Sequence, residues 1–206
     1  MLSVRAAGIV LAAGASRRMG TAKAGLVYAE RTFLAHVIAA LHDGGVADVM
    51  VMAGTAEAAV RAALPPGGRV PVLQNPAPER GQLSSLKIAL EHVQRTLPEA
   101  AAIVVALVDH PAVRASTVTA LLAGAATQPQ PAIVLPAHCG RRGHPVLFQR
   151  SVWAEIVATS DDLGARAVVR ADPRRVREVP VDDAGILVDV DTPDDFRRLL
   201  AGSDPG

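Results

Sequence analysis

The chain has 206 residues, of which 50% are hydrophobic, 20% charged and 2% aromatic, with a formal net charge of +1. That length suffices for one α/β domain with a sizeable core, which alanine and valine must fill. The near-neutral charge sets up no broad field for nucleic acid, few aromatics remain for base stacking, and no apolar run is long enough to span a bilayer. The lone cysteine, Cys139, excludes an internal disulfide and a multi-cysteine metal site. It reads as a small, semi-buried residue and fits a cytoplasmic protein.

In chain order, Val4 to Leu11 reads as a buried first strand, and Leu26-Val27-Tyr28 as a short extended piece. Thr32 caps a helix through His42, with Phe33, Val37, Ile38 and Leu41 at helical spacing, and Gly44-Gly45 ends it. Asp48 to Ala53 is a second strand, Ala56 to Leu64 a helix, Pro65 to Gly68 a turn, and Val70 to Gln74 a third strand. Asn75 to Gln82 is a polar, proline-broken loop, and Ser84 caps a helix reaching about Leu97.

Ala101 to Val108 is the most hydrophobic run, and its lack of alternation suits a central parallel strand covered on both faces. A helix follows from about Ser116 to Ala126, Gln128-Pro129-Gln130-Pro131 breaks the chain, and Ala132 to Leu135 is a strand. Cys139 to Pro145 forms a basic, glycine-flanked loop before an extended Val146 to Phe148. Helices are expected from Val152 to Thr159 and Leu163 to Val169, and strands from Val176 to Val181 and Ile186 to Val190. Thr192-Pro193-Asp194-Asp195 opens the last helix, with Thr192 as N-cap and the acids suiting the dipole. Residues 1–201 read as one domain and residues 202–206 as a disordered tail. Alternating strands and helices predict a three-layer α/β/α, Rossmann-like, mostly parallel sheet.

Two stretches carry chemistry. The first is the turn after strand one, Leu11-Ala12-Ala13-Gly14 followed by Ser16-Arg17-Arg18 and Lys23. Small residues and a glycine leave backbone N–H groups accessible, and the cations beside them suit a polyphosphate. Lysine does not directly follow the last glycine, so this is no Walker A loop, and the middle glycine of a dinucleotide fingerprint is missing. Arg5 before the apolar run mimics a secretory signal, but the run is short and broken by Gly8 and Gly14. The second is Asp109-His110-Pro111. A carboxylate at the carboxyl end of the central strand faces the crevice where open α/β sheets bind ligands.

Taken together, Leu11 to Gly20 with Lys23, Gly81-Gln-Leu-Ser-Ser-Leu86, Asp109-His-Pro111, Gly143-His-Pro-Val-Leu-Phe148, Gly164-Ala-Arg166 and Asp189-Val-Asp-Thr-Pro-Asp-Asp195 resemble, in this order, the MobA-like nucleotidyltransferases. The molybdenum cofactor cytidylyltransferases are the branch they resemble most. The resemblance implies a nucleotide-diphospho-sugar-transferase-like fold and transfer of CMP from CTP to the terminal phosphate of a molybdopterin cofactor, releasing pyrophosphate. It implies Arg18, Lys23 and Asp109 as catalytic, with Arg17 a further phosphate ligand, and Leu11, Ala12, Ala13, Gly14, Gly81 and Ser85 around the nucleotide. It further implies Mg²⁺ held by Asp109 and Asp191, with Asp189 in reserve on the same strand face, and acceptor contacts from Arg141, Arg142 and His144. A molybdenum hydroxylase apoenzyme is the implied recipient.

Ala13, where guanylyl-transferring relatives have glycine, and His144 in place of their glutamine lean towards CTP, because a methyl group narrows the base pocket. The chain departs from the pattern at Ala24-Gly25 after the lysine and at His110, where the family often has glutamine. Competing readings are transfer to a sugar or alditol phosphate, and a non-catalytic carrier of nucleotide or pterin. For Asp109 and Asp191 the structural alternative is helix capping, for Arg141 and Arg142 a solvated hairpin.

Overall fold

The computed structural model describes residues 4–14, 19–67 and 69–202. The expected contribution of Arg17 and Arg18, the glycine at 68 and the tail residues 203–206 lie outside the described residues.

The strands are β1 Ala6–Ala12, β2 Val27–Tyr28, β3 Arg31–Thr32, β4 Asp48–Ala53, β5 Val72–Gln74, β6 Ala102–Leu107, β7 Ile133–His138, β8 Arg141–Arg142, β9 Val146–Gln149 and β10 Val176–Pro180. The α-helices are α1 Phe33–Asp43, α2 Glu57–Ala62, α3 Gln82–Thr96, α4 Ala115–Ala125, α5 Trp153–Ala158, α6 Arg166–Ala171 and α7 Pro193–Ala201. The main sheet runs β10-β7-β9-β6-β1-β4-β5, with β8 paired to β7. β6, β1, β4 and β5 are parallel neighbours, β9 is antiparallel to both β6 and β7, and β10 is parallel to β7. β6 is central, as its unbroken apolar run implies, although one of its two neighbours is antiparallel.

The pleat divides the core in two. In β1, Ala6, Val10 and Ala12 join the cluster covered by α1, α4 and Leu199 of α7. Ala7, Ile9 and Leu11 join the cluster covered by α3, α5 and Val168 of α6. Successive side chains on a strand point to opposite faces, so a run apolar at every position needs both layers of helices. Each fully buried Val, Ile or Leu here contributes about 1.5–3 kcal/mol.

Local signals placed most elements. Thr32 accepts from the Ala35 amide at 3.1 Å and starts α1. Thr192 and Asp195 form a reciprocal capping box at α7, with proline in the first turn. Three expectations need correction. Ser84 lies inside the first turn of α3, after the Gly81 N-cap, and donates to the Gly81 carbonyl at 2.8 Å. Cys139 is exposed, because it occupies the tip of the β7–β8 hairpin. Residues 186–190 form no strand; the segment enters through a 3₁₀ turn, Ala184–Leu187.

That turn has a physical reason. Asp183 accepts from the Gly185 amide at 3.0 Å, which bends the chain. A Cβ on Gly185 would sit 2.2 Å from the Ala112 carbonyl oxygen, and one on Gly143 would sit 2.2 Å from that of Ile186. The segment is thus wedged between the loop after β6 and the loop before β9, too close for side chains at those two points.

Candidate active site

β1 is the switch point of the sheet: the chain leaves it for β4 and β5 on one side and returns to β6 on the other. Such a reversal opens a crevice beyond the carboxyl ends of the strands. Lys23, on the 3₁₀ turn Lys23–Gly25, enters this crevice from one side and Asp109, just past β6, from another. The Lys23 ammonium donates to Asp109 Oδ2 at 2.9 Å and to Asp191 Oδ1 in a very short contact. Three charges from three distant parts of the chain therefore meet with little solvent around them.

Burial disfavours the Lys23 charge, but the hydrogen bond to Asp191 and the charge of Asp109 outweigh it and hold its pKa above the usual ammonium value. Neither aspartate serves as the helix cap that the sequence allowed. The Arg114 amide at the start of α4 binds Asp183 Oδ2 at 2.9 Å, and α7 is capped by Thr192 and Asp195.

Asp189 arrives beside Asp109 because the Val190 amide donates to the Asp109 carbonyl at 3.0 Å. One ligand atom each from Asp109, His110 and Asp189 lie within 4.8 Å of one another. Asp109 Oδ1 is buried without a hydrogen-bond partner, while its other oxygen is engaged by Lys23. Burial, then the charges of Asp109 and Asp191, raise the Asp189 pKa above the usual carboxylate value. Repulsion among acids and an orphaned carboxylate oxygen suit a divalent cation, and the oxygen-rich donor set fits a hard one. Asp191 is turned towards Lys23, so Asp189 rather than Asp191 completes this cluster.

His110 and His144 stack obliquely with ring centroids 5.3 Å apart. Burial lowers the His110 pKa. Burial, then the neighbouring His110, pushes His144 down to about 4. His144 is fixed by its backbone amide, which donates to the Ile186 carbonyl at 3.2 Å.

His144 also lines an open cleft of about 1030 Å³ beside the charged cluster. Its floor includes Leu11, Leu107, Leu135, Val146 and Phe148; Gly81, Gln82, Arg142, Arg166 and Arg170 stand at its rim. An apolar floor with polar groups along the edge is the general form of a small-molecule site. Of the other sequence candidates, Ala12 is buried, Ala13 half-buried and Gly14 exposed at the end of β1. Ser85 is buried, and its hydroxyl accepts from the Asn75 side chain at 2.9 Å, which braces the loop before α3 rather than facing the cleft. Arg141 is exposed, and Arg142 on β8 pairs with Glu178 of β10 at 2.6 Å.

No local pattern in the chain signals the latch of this cleft. Asp161 bridges Arg80 at 2.6 Å and Lys87 at 2.8 Å, and Lys87 also donates to the Thr159 carbonyl at 2.6 Å. Arg166, in the Gly164-Ala-Arg166 segment, also lines the cleft. Among the described residues, no helix is long and apolar enough to cross a membrane.

The chain is similar to known proteins over nearly its whole length. The chain is 31% identical over 201 residues to nicotine blue oxidoreductase of Paenarthrobacter nicotinovorans, covering 94% of this chain and 95% of that one. The crystal structure of Rv0371c from Mycobacterium tuberculosis H37Rv superposes with a TM-score of 0.81 at 35% identity, covering 98% of this chain and all of the other. A structure of Rv0371c in complex with manganese gives a TM-score of 0.77 at 32% identity, over 96% of this chain and 98% of the other. The model of the MobA-like NTP transferase domain matches residues 8–178, from β1 through the crevice to β10. By that match, which spans the first turn, the Asp-His-Pro strand end and the cleft, the chain belongs to the MobA-like NTP transferase family.

Proposed function

We propose that the protein transfers CMP from CTP to the terminal phosphate of a molybdopterin-type acceptor. An acceptor phosphate oxygen attacks the α-phosphorus; the bond from that phosphorus to the bridging oxygen breaks, and pyrophosphate leaves with the electron pair. The attacking oxygen is already ionised at neutral pH, so catalysis consists of positioning and charge neutralisation. The observation that carries this reading is the meeting of Lys23, Asp109 and Asp191 at the switch point, next to a cleft large enough for the acceptor.

In this reading Lys23, with Arg18 and Arg17, takes the triphosphate, while Leu11, Ala12, Ala13, Gly14 and Gly81 surround the nucleotide. Ser85 supports that segment from below. Asp109, with Asp191 or Asp189, would hold Mg²⁺ or a similar divalent ion, and such an ion supplies charge neutralisation at the phosphates. The manganese in the Rv0371c structure supports a divalent ion here. The apolar floor suits a flat heterocycle, and Arg142, His144, Arg166 and Arg170 suit its phosphate. Arg141 is exposed and reaches the acceptor only from outside the cleft. A cytoplasmic location and hand-over to a molybdenum hydroxylase apoenzyme accompany this reading.

The test is incubation with Mg²⁺ or Mn²⁺, each NTP in turn and molybdopterin cofactor, following pyrophosphate. CTP-dependent release supports the reading. Equal turnover of GTP and CTP removes the base preference, and release only with a sugar or alditol phosphate removes the acceptor. Tight CTP binding without release points to a carrier. A second reading, an oxidoreductase acting in the same cleft, has the identity with nicotine blue oxidoreductase in its favour. Oxidation or reduction of nicotine blue by the purified protein, with no pyrophosphate from any NTP, would select it.

A further inference from the structure

We infer that His110 is itself a metal ligand, and that its imidazole turns this site from Mg²⁺ towards Mn²⁺. The inference rests on the reading of Asp109 as a metal ligand and identifies the residue that decides which ion is held. Three observations lead to it. His110 follows Asp109 directly in the loop after β6, and it is only 8% exposed. Its Nδ1 atom is buried with no hydrogen-bond partner, unusual for a polar atom at that depth. One of its ring nitrogens lies within 4.8 Å of carboxylate oxygens of both Asp109 and Asp189.

The surrounding contacts leave these donors available. Lys23 occupies Asp109 Oδ2, while Asp109 Oδ1 is buried and unpartnered. Asp191 is committed to Lys23. The site therefore offers two carboxylates and one imidazole, drawn from two chain segments tied together by the Val190 amide on the Asp109 carbonyl. Mg²⁺ favours an all-oxygen octahedron and retains several waters. An imidazole in the set raises affinity for first-row transition ions over Mg²⁺, and the two carboxylates keep Mn²⁺, the hardest of them, within its range. A glutamine at the same position would offer a carbonyl oxygen and restore an all-oxygen set.

The experiment uses metal-stripped full-length protein titrated with Mn²⁺ alone. The unbound ion is followed by its electron paramagnetic resonance signal, and the bound ion by electron spin-echo envelope modulation. One tight Mn²⁺ with ¹⁴N modulation is expected, the modulation changing to the ¹⁵N pattern when histidine is ¹⁵N-labelled. In His110→Gln the nitrogen coupling should vanish and Mn²⁺ affinity should fall by about 10–100-fold, the loss that removal of even an outer partner of a metal ligand produces. Mg²⁺ affinity, measured by displacement of Mn²⁺, should hardly change. His144→Gln should keep the coupling, which separates the two stacked rings.

Absence of nitrogen coupling in the wild-type protein overturns the inference even if His110→Gln does not fold. Coupling that survives in His110→Gln, or disappears in His144→Gln alone, overturns it as well. The outcome is separable from that of the transferase reading. Pyrophosphate release without nitrogen coupling sinks His110 and leaves the transferase; nitrogen coupling without release from any NTP does the reverse.

Discussion

The two walls of the crevice are built on opposite principles. On the side of β1 and β6, Lys23, Asp109 and Asp191 are held together where little water reaches them, with side chains 11%, 18% and 29% exposed. On the far side, the cleft wall is fastened by pairs that include a well-exposed arginine. Asp161 meets Arg80, which is 63% exposed, and Glu178 meets Arg142, which is 49% exposed. Charges in a poorly solvated site act strongly and cost much to leave unpaired, whereas solvent-exposed pairs are weak and screened by salt. Under the proposed function the difference separates labour: the charged cluster meets the phosphates, and the cleft wall holds the acceptor through weaker, solvent-exposed pairs.

The severest way to break this contrast is Asp109→Asn. It removes the carboxylate shared by Lys23 and the cation cluster, and kcat should fall by about 10³-fold or more, in the range seen when one charge-stabilising group is lost. An unchanged circular dichroism melt would show the fold intact; near-normal turnover would remove Asp109 from the chemistry. Lys23→Ala comes next. It strands acids in a confined space, so stability should drop by about 2–4 kcal/mol, near the low end of the penalty for halving a buried pair. NTP binding and kcat should weaken together, because the lysine meets charge in both ground and transition states. A raised KM with unchanged kcat would make it a binding residue alone.

A pH titration sharpens the contrast. His144 titrates at about 4 in the folded chain and near 6.5 when unfolded. Between those values the unfolded state binds the extra proton, so stability falls as pH drops through this window, by about 2–4 kcal/mol in full. His144→Gln should flatten that part of the curve, read from urea midpoints between pH 7 and pH 4. Lys23 works in the opposite sense at high pH: its raised pKa means its contribution is present below the ordinary lysine value and fades as pH rises through the folded one. The smallest effect is expected at the far wall. Asp161→Asn should raise acceptor KM about two- to fivefold, leave kcat unchanged, and reduce the salt dependence of KM. A large loss of kcat would mean that the latch reaches the chemistry and would dissolve the distinction between the walls.

Much of this was legible because its signals are local. Thr32 and Thr192 announce helices through bonds to amides three residues away, and Asp48 to Ala53 forms the expected strand because its apolar run is bounded by turn residues. The apolar run ending at Asp109 marked both the centre of the sheet and an acid at its mouth, since an all-apolar strand needs cover on both faces. Ser84 misled because a hydroxyl near a helix start reads as a cap wherever in the first turn it falls, and here glycine holds that position. Ile186 to Val190 misled because an apolar run says that a segment is buried, not that a neighbouring strand is there to pair with it.

The amino-acid order alone thus determined the alternation of strands and helices, the basic turn after β1 and the acid after β6, because periodicity, capping and strand-end position act over a few residues. Only the folded arrangement decided that Asp189 joins Asp109 and His110 while Asp191 answers Lys23. It also decided that Asp183 binds the Arg114 amide at the start of α4 across 69 positions of chain and that Asp161 fastens the cleft wall to Arg80 and Lys87. Those pairings depend on which distant segments share space and on how far burial raises the cost of an unanswered charge, and neither quantity is carried by neighbours in the chain.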